Sequence, residues 1–164
     1  SDELKWTDAE DFVNSIIEEE KENAEKHDII IYSSFKGRYR EPILINKEVL
    51  RMVLVNLIKN AVDSFDDKKC EEKNIHVNIN VEENHIDIEV IDNGCGIEKE
   101  ALENIFDPFY STKETGVGLG LYIINTEIRN NGGTISVKSE FGKGTEFKIT
   151  LPVVERKNGE KDRV

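Results

Sequence analysis

Two asparagines four residues apart, Asn56 and Asn60, interrupt a helical run that is otherwise apolar, Val55-Asn56-Leu57-Ile58-Lys59-Asn60-Ala61-Val62-Asp63-Ser64. On a 3.6-residue period they stack on one face, with Lys59 beside them and Asp63 one turn further on. Leu54, Leu57, Ile58, Ala61, Val62 and Phe65 fill the remaining arc. A buried amide left unpaired costs about 1–3 kcal/mol, so this stripe must face solvent or a polar ligand.

Three further stretches carry chemistry-capable residues. In Ile91-Asp92-Asn93-Gly94-Cys95-Gly96-Ile97 an aspartate ends an apolar strand and two glycines follow. Such a carboxylate accepts a hydrogen bond from the amine of a flat heterocycle, and the glycines let backbone approach the ring; a plain strand-end turn is the competing reading. In Thr115-Gly116-Val117-Gly118-Leu119-Gly120-Leu121, alternate glycines open a helix. Their N–H groups and the positive helix terminus make a phosphate cradle. The dinucleotide fingerprint does not fit, because no strand precedes the glycines and the spacing differs. Gly142-Lys143-Gly144-Thr145 lacks the order of a Walker A loop. Between these two stretches, Phe106-Asp107-Pro108-Phe109-Tyr110 offers two aromatic anchors and a tyrosine, followed by Ser111-Thr112-Lys113. That segment reads either as a lid hinged at Pro108 and Gly116 or as an ordinary loop with a hydrophobic foot.

The elements that position these residues follow from periodicity. A helix is predicted from about Asp8 to Lys26 with Thr7 as N-cap, and a strand over Asp28–Ser34. Asn46 caps a helix from Lys47 to Phe65, and 66–73 is a polar connector. Ile75–Val81 and Ile86–Val90 alternate as a hairpin turning near Glu83-Asn84. A short helix spans Lys99–Ile105, and a longer one Leu119–Asn130 ends at Gly132-Gly133. Strands at Thr134–Ser139 and Thr145–Leu151 complete an α+β two-layer sandwich: a mixed, mainly antiparallel sheet with helices on one face. One domain is expected over residues 1–152, and 153–164 is expected to be a disordered tail.

Composition narrows the function. With a net charge of -12 over 164 residues, the surface repels phosphate backbones, which argues against nonspecific nucleic-acid binding. The same charge suits an anionic ligand that arrives with a divalent cation. No apolar run approaches the ~18 residues of a membrane span and no signal-peptide pattern opens the chain, so no membrane contact by this domain is expected. Cys70 and Cys95 suggest neither a disulfide framework nor a CxxC metal site, and His27, His76 and His85 lack ligand spacing. A reducing, cytosolic setting is expected.

Taken in order, Asn-x-x-x-Asn, Asp-x-Gly-x-Gly, Phe-Asp-Pro-Phe and Gly-x-Gly-x-Gly resemble the ATP-binding fold shared by gyrases, heat-shock chaperones, mismatch-repair ATPases and histidine kinases. In detail they resemble the N, F and glycine boxes of a two-component sensor histidine kinase, over Trp6 to Pro152. The resemblance implies ATP and Mg²⁺ as ligands. It implies Asn60 as the Mg²⁺ ligand, a hard oxygen for a hard cation, with Asn56 by the metal and the γ-phosphate. It implies Asp92 as acceptor of the adenine amine, Gly94 and Gly96 as room for the ring, and Ile97 and Tyr110 as its walls. Gly116, Gly118, Gly120 and the Leu121 N–H would hold phosphates, with Val117, Leu119 and Thr112 in the same set, and Thr145 would support adenine through water. The chain departs from the family at two places. Ser111 stands where many kinases carry Arg, leaving Lys113 to supply the cation, and Asp63 stands where many carry Lys. Lys59 either contacts phosphate or is simply solvated.

Hydrolytic relatives carry Glu four residues before the metal-binding Asn, as general base; here that position is Asn56, an amide that takes no proton at neutral pH. The resemblance therefore implies phosphotransfer to an external histidine on a dimerisation domain, in a homodimer that feeds a response regulator. A nucleotide-binding regulatory module or an ATPase without transfer is the rival reading. His27 lies at the start of a strand pattern and close to Asn56 in sequence, which does not suit an acceptor. The acceptor is expected outside this chain.

Overall fold

In the computed structural model, which describes residues 3–38, 41–65, 72–110 and 120–154, eleven elements follow one another. They are β1 (Lys5–Thr7), α1 (Ala9–Glu25), β2 (Ile29–Lys36), β3 (Ile43–Ile45), α2 (Lys47–Asp63), β4 (Lys73–Val81), β5 (His85–Asp92), α3 (Lys99–Leu102), α4 (Gly120–Asn130), β6 (Thr134–Glu140) and β7 (Gly144–Pro152). The main sheet has the order β2-β4-β5-β7-β6. Its β2–β4 pair is parallel and the other pairs are antiparallel, so the expected mixed, mainly antiparallel sheet is what forms.

Alternation decides which face is covered. Ile75, Val77, Ile79 and Val81 of β4 are buried, as are Ile86, Ile88 and Val90 of β5 and Phe147, Ile149 and Leu151 of β7. Register places them in rows: Ile79 opposite Ile88 and Ile88 opposite Ile149, for example. The helices α1, α2 and α4 pack on this face. The other face carries residues such as Tyr32, stacked on His76 with ring centroids 4.9 Å apart. Each fully buried Val, Leu or Ile contributes about 1.5–3 kcal/mol relative to exposure. Eight such or smaller apolar residues of α2 are buried, from Val49 to Val62.

The helix ends show how local chemistry fixes these elements. Asn46 accepts from the N–H groups of Glu48 (3.1 Å) and Val49 (3.2 Å), as predicted. The N-cap of α1 is Asp8, which accepts from Asp11 N–H at 3.0 Å, and not Thr7. Thr7 instead belongs to β1, which pairs with β3 in a small second sheet. At the end of α4, Gly132 (φ 76°) turns the chain. Its N–H reaches Arg129 O at 3.0 Å and that of Gly133 reaches Ile128 O at 2.8 Å, the Schellman pattern.

Several elements differ from expectation: β2 runs on to Lys36, α2 ends at Asp63, and β4 begins at Lys73, inside the predicted connector. β1 and β3, at three residues each, are too short to show a period, and the break at Pro42 hides the second. α3 stops at Leu102, short of the predicted Ile105. The packed fold also includes residues past 152: Val153 is 6% exposed, its N–H donates to Asn84 O at 3.0 Å, and Val154 bridges to Leu44. An apolar side chain with a buried seat and a backbone partner does not belong to a tail. Residues 66–71 of the predicted 66–73 connector, Cys70 among them, and residues 155–164 lie outside the described residues.

Candidate functional site

At one end of the covered sheet face the apolar rows give way to polar residues. Register aligns Ile31, Ile75, Asp92, Thr145 and Ser139 across the five strands. Asp92 is 8% exposed and Thr145 5%, so both continue the core face where apolar residues would otherwise stand. Asp92 Oδ1 accepts from Gly94 N–H at 2.9 Å, which turns the chain after β5 and holds the carboxylate in place.

The loop after Asp92 is fastened on two sides. Cys95 N–H donates to Ser64 O (2.9 Å) at the end of α2, and Gly142 N–H donates to Cys95 O (2.6 Å) from the β6–β7 turn. Ile97 N–H donates to Ser139 Oγ at 2.8 Å. This close fastening is what the glycines serve. A Cβ on Gly94 would overlap Ser64 Oγ and stand 2.7 Å from Ser64 Cβ; one on Gly96, at φ 71°, would overlap Glu140 O. A side chain at either position would thus meet protein, so close packing by itself calls for glycine at both.

Helix α2 brings its polar stripe alongside. Asn56 is half-buried, and its Nδ2 donates to Met52 O at 2.7 Å. That bond turns Oδ1 away from its own helix. A Cβ added at Gly120 would sit 4.0 Å from Asn56 Oδ1, so the first turn of α4 and Asn56 face each other across a narrow gap. The i−4 positions of that turn's N–H groups, Leu121's among them, lie outside the described residues, so among the described residues these groups have no helical acceptor. Asn60 is half-buried, and its amide hydrogen-bonds to none of the described residues. Lys59 is exposed, whereas Asp63 is half-buried.

The Phe106–Tyr110 stretch is anchored differently from the sequence reading. Ile105 is buried, and Phe106 and Tyr110 pack against the core. Phe109 is 74% exposed with φ 66°, so it is no anchor; a left-handed backbone aims it away from the core on which its neighbours rest. Ile97 also packs against the core. Thr112, Lys113, Gly116, Val117, Gly118 and Leu119 lie outside the described residues, as do Ser111 and the predicted lid as a whole.

Sequence reasoning missed Ser64 and Ser139. The available signal for Ser139 was its parity: it falls on the inward-facing phase of β6, after Ile135 and Val137, where a hydroxyl needs a partner. Among the described residues no three His, Cys, Asp or Glu side chains gather to hold a metal ion. His27 and His76 are exposed, and His85 sits 3.4 Å from Asp87 at the sheet end. An apolar cavity of about 180 Å³, with Leu4, Leu44, Val49 and Leu151 in its wall, lies away from Asp92 and the α2 stripe.

The sequence and fold are similar to those of several known proteins. Sporulation kinase E of Bacillus subtilis is 41% identical over 123 residues, covering 74% of this chain but 16% of that protein. Sporulation kinase A of the same organism is 39% identical over 126 residues, 76% of this chain and 20% of that protein. The chain therefore spans about a fifth or less of these relatives. Among solved structures, the nucleotide-free catalytic domain of histidine kinase ThkA superposes with a TM-score of 0.75 at 24% identity, over 92% of this chain and 95% of that one. Full-length ShkA in complex with AMPPNP superposes with a TM-score of 0.80 at 26% identity, over 93% of this chain and 32% of that one. The family model of histidine kinase-, DNA gyrase B- and HSP90-like ATPases matches residues 45–155, more than half of the sequence, and the chain belongs to that family.

Proposed function

We propose that this domain binds Mg-ATP and transfers its γ-phosphoryl group to a histidine on a dimerisation domain of the same, longer protein. One observation carries the reading: the buried Asp92–Thr145 pair at the sheet end lies beside a helix that offers two amides, Asn56 and Asn60, and no carboxylate in the position of a hydrolytic base. Asp92 is an acceptor suited to the adenine amine. Ile97 and Tyr110 flank the ring, and Gly116, Gly118, Gly120 and Leu121 cradle the phosphates with Lys113 as countercharge.

Mg²⁺ fits the donor set. Asn60 supplies one neutral oxygen without a protein partner among the described residues, and Mg²⁺ ordinarily completes its shell with phosphate oxygens and water. Asn60 would hold the ion, which would supply positive charge to offset that of the phosphates. The acceptor imidazole nitrogen attacks phosphorus, the bond to the β-γ bridging oxygen breaks, and ADP leaves. The protein's part is to hold these groups in line, since Asn56 cannot remove a proton from water. A response regulator then takes the phosphoryl group. No helix among the described residues is long and apolar enough to cross a membrane.

The test is labelled ATP with and without a separately made dimerisation domain. Label on the partner's histidine supports the reading; tight ATP binding with no transfer to any such partner would favour a regulatory nucleotide-binding module.

A further inference from the structure

We infer that Ser139 fixes the hydrogen-bond polarity of Thr145 and so makes the site select adenine over guanine nucleotides. The inference rests on the nucleotide reading above and adds to it a residue that determines base specificity.

The Ser139 hydroxyl has three neighbours. Ile97 N–H donates to it at 2.8 Å, Gly144 O lies at 2.9 Å, and Thr145 Oγ1 lies at 2.8 Å. A hydroxyl has one hydrogen to give and two lone pairs. Gly144 O can only accept, so Ser139 gives its hydrogen there. Its lone pairs then take Ile97 N–H and the Thr145 hydroxyl hydrogen, and its capacity is filled. The reverse assignment, Ser139 donating to Thr145, leaves a hydrogen on the nearly buried Thr145 hydroxyl with no partner among the described residues.

Thr145 therefore shows the site lone pairs and no hydrogen. Asp92 stands directly opposite on β5, and as a carboxylate it too only accepts. A purine edge laid against this pair meets two acceptors. The 6-amino group of adenine supplies donors, whereas the 6-oxo group of guanine adds a third acceptor. A water that gives one hydrogen to Thr145 and the other to the Asp92 carboxylate opposite it has only lone pairs left for the base, and so carries the same polarity. Without the Ser139 oxygen, the Thr145 hydroxyl turns and donates to an oxo group.

Ser139 is thus a positioning residue, and the readout is the ratio of ADP to GDP affinity by calorimetry. In Ser139→Ala this ratio should narrow roughly three- to tenfold, the size of one neutral hydrogen bond, with Ser139→Thr restoring it. Thermal unfolding identifies variants that do not fold, in which case Ser139→Cys, nearly isosteric and a weak hydrogen-bonding group, should narrow the ratio in the same direction. A ratio unchanged within twofold in a folded Ala or Cys variant overturns the proposal, as does failure of both to fold, which would make Ser139 structural. If the unaltered chain binds neither ADP nor GDP, the nucleotide reading itself fails.

Discussion

Asp92 and Thr145 face each other across β5 and β7 as direct register partners on the helix-covered side of the sheet. Both sit where the apolar rows end, and both are nearly buried. Two hydrogen-bonding side chains in a core position call for partners. Gly94 N–H meets the carboxylate and Ser139 meets the hydroxyl. The pair forms the floor of the proposed base site, and α2 brings the amides alongside.

The first prediction follows from that floor. Asp92→Asn replaces an acceptor with an amide able to present its donor face to the adenine amine, and it removes a charge-assisted bond. A loss of about 1.5–3 kcal/mol, or roughly tenfold to a hundredfold in ATP affinity, is expected. Calorimetry showing equal affinity would take Asp92 out of the site.

Asn60 gives a second, separable outcome. Asn60→Ala removes the proposed Mg²⁺ ligand while leaving Asp92 and Thr145 untouched. Metal-free ADP should bind as before, but the tightening that Mg²⁺ confers should vanish. Retention of that tightening would move the metal away from the α2 stripe.

Gly94 tests the packing explanation of the glycines. An alanine there must displace Ser64, whose Cβ and carbonyl oxygen lie 2.7 and 2.8 Å from the new methyl position. Overpacking of this kind costs about 1–3 kcal/mol. Gly94→Ala should lower the unfolding midpoint even without nucleotide, and Ser64→Gly should recover part of the loss in a double-mutant cycle. If stability is unchanged and only nucleotide binding suffers, the glycine serves the ligand after all.

These residues also show what the sequence made legible. The period of Leu54, Leu57, Ile58 and Ala61 marked α2, and the alternation in Ile75–Val81 and Ile86–Val90 marked the hairpin, because long elements repeat their pattern enough to be read. The Gly132-Gly133 cap and the Asn46 cap were legible because each residue type does one local job. Asp92 stood out as a carboxylate ending an apolar strand. What escaped was set by tertiary contact: the packing role of Gly94 shows only when Ser64 is seen against it, and Phe109 reads as an anchor until its backbone turns it outward. Ser139 looked like any strand serine, since its three partners come from residues 42, 5 and 6 positions away in sequence.

The last prediction concerns chemistry in the isolated chain. Transfer to histidine needs an imidazole in line with the γ-phosphate and a base to keep its nitrogen free. Asn56, whose Nδ2 is bonded to Met52 O, is not a base; His76 stacks on Tyr32 on the other sheet face, His85 stands at the opposite end of β5 from Asp92, and His27 is exposed before β2. Given Mg-ATP alone, the chain should bind nucleotide, hydrolyse it negligibly and gain no acid-labile phosphate. A matched dimerisation domain added in trans should become labelled, slowly, because a tether that supplies effective concentration is missing. Steady hydrolysis that persists in Asn56→Ala but is lost in Asn60→Ala would reveal a base outside α2, and would place the chain with the hydrolytic branch of its family.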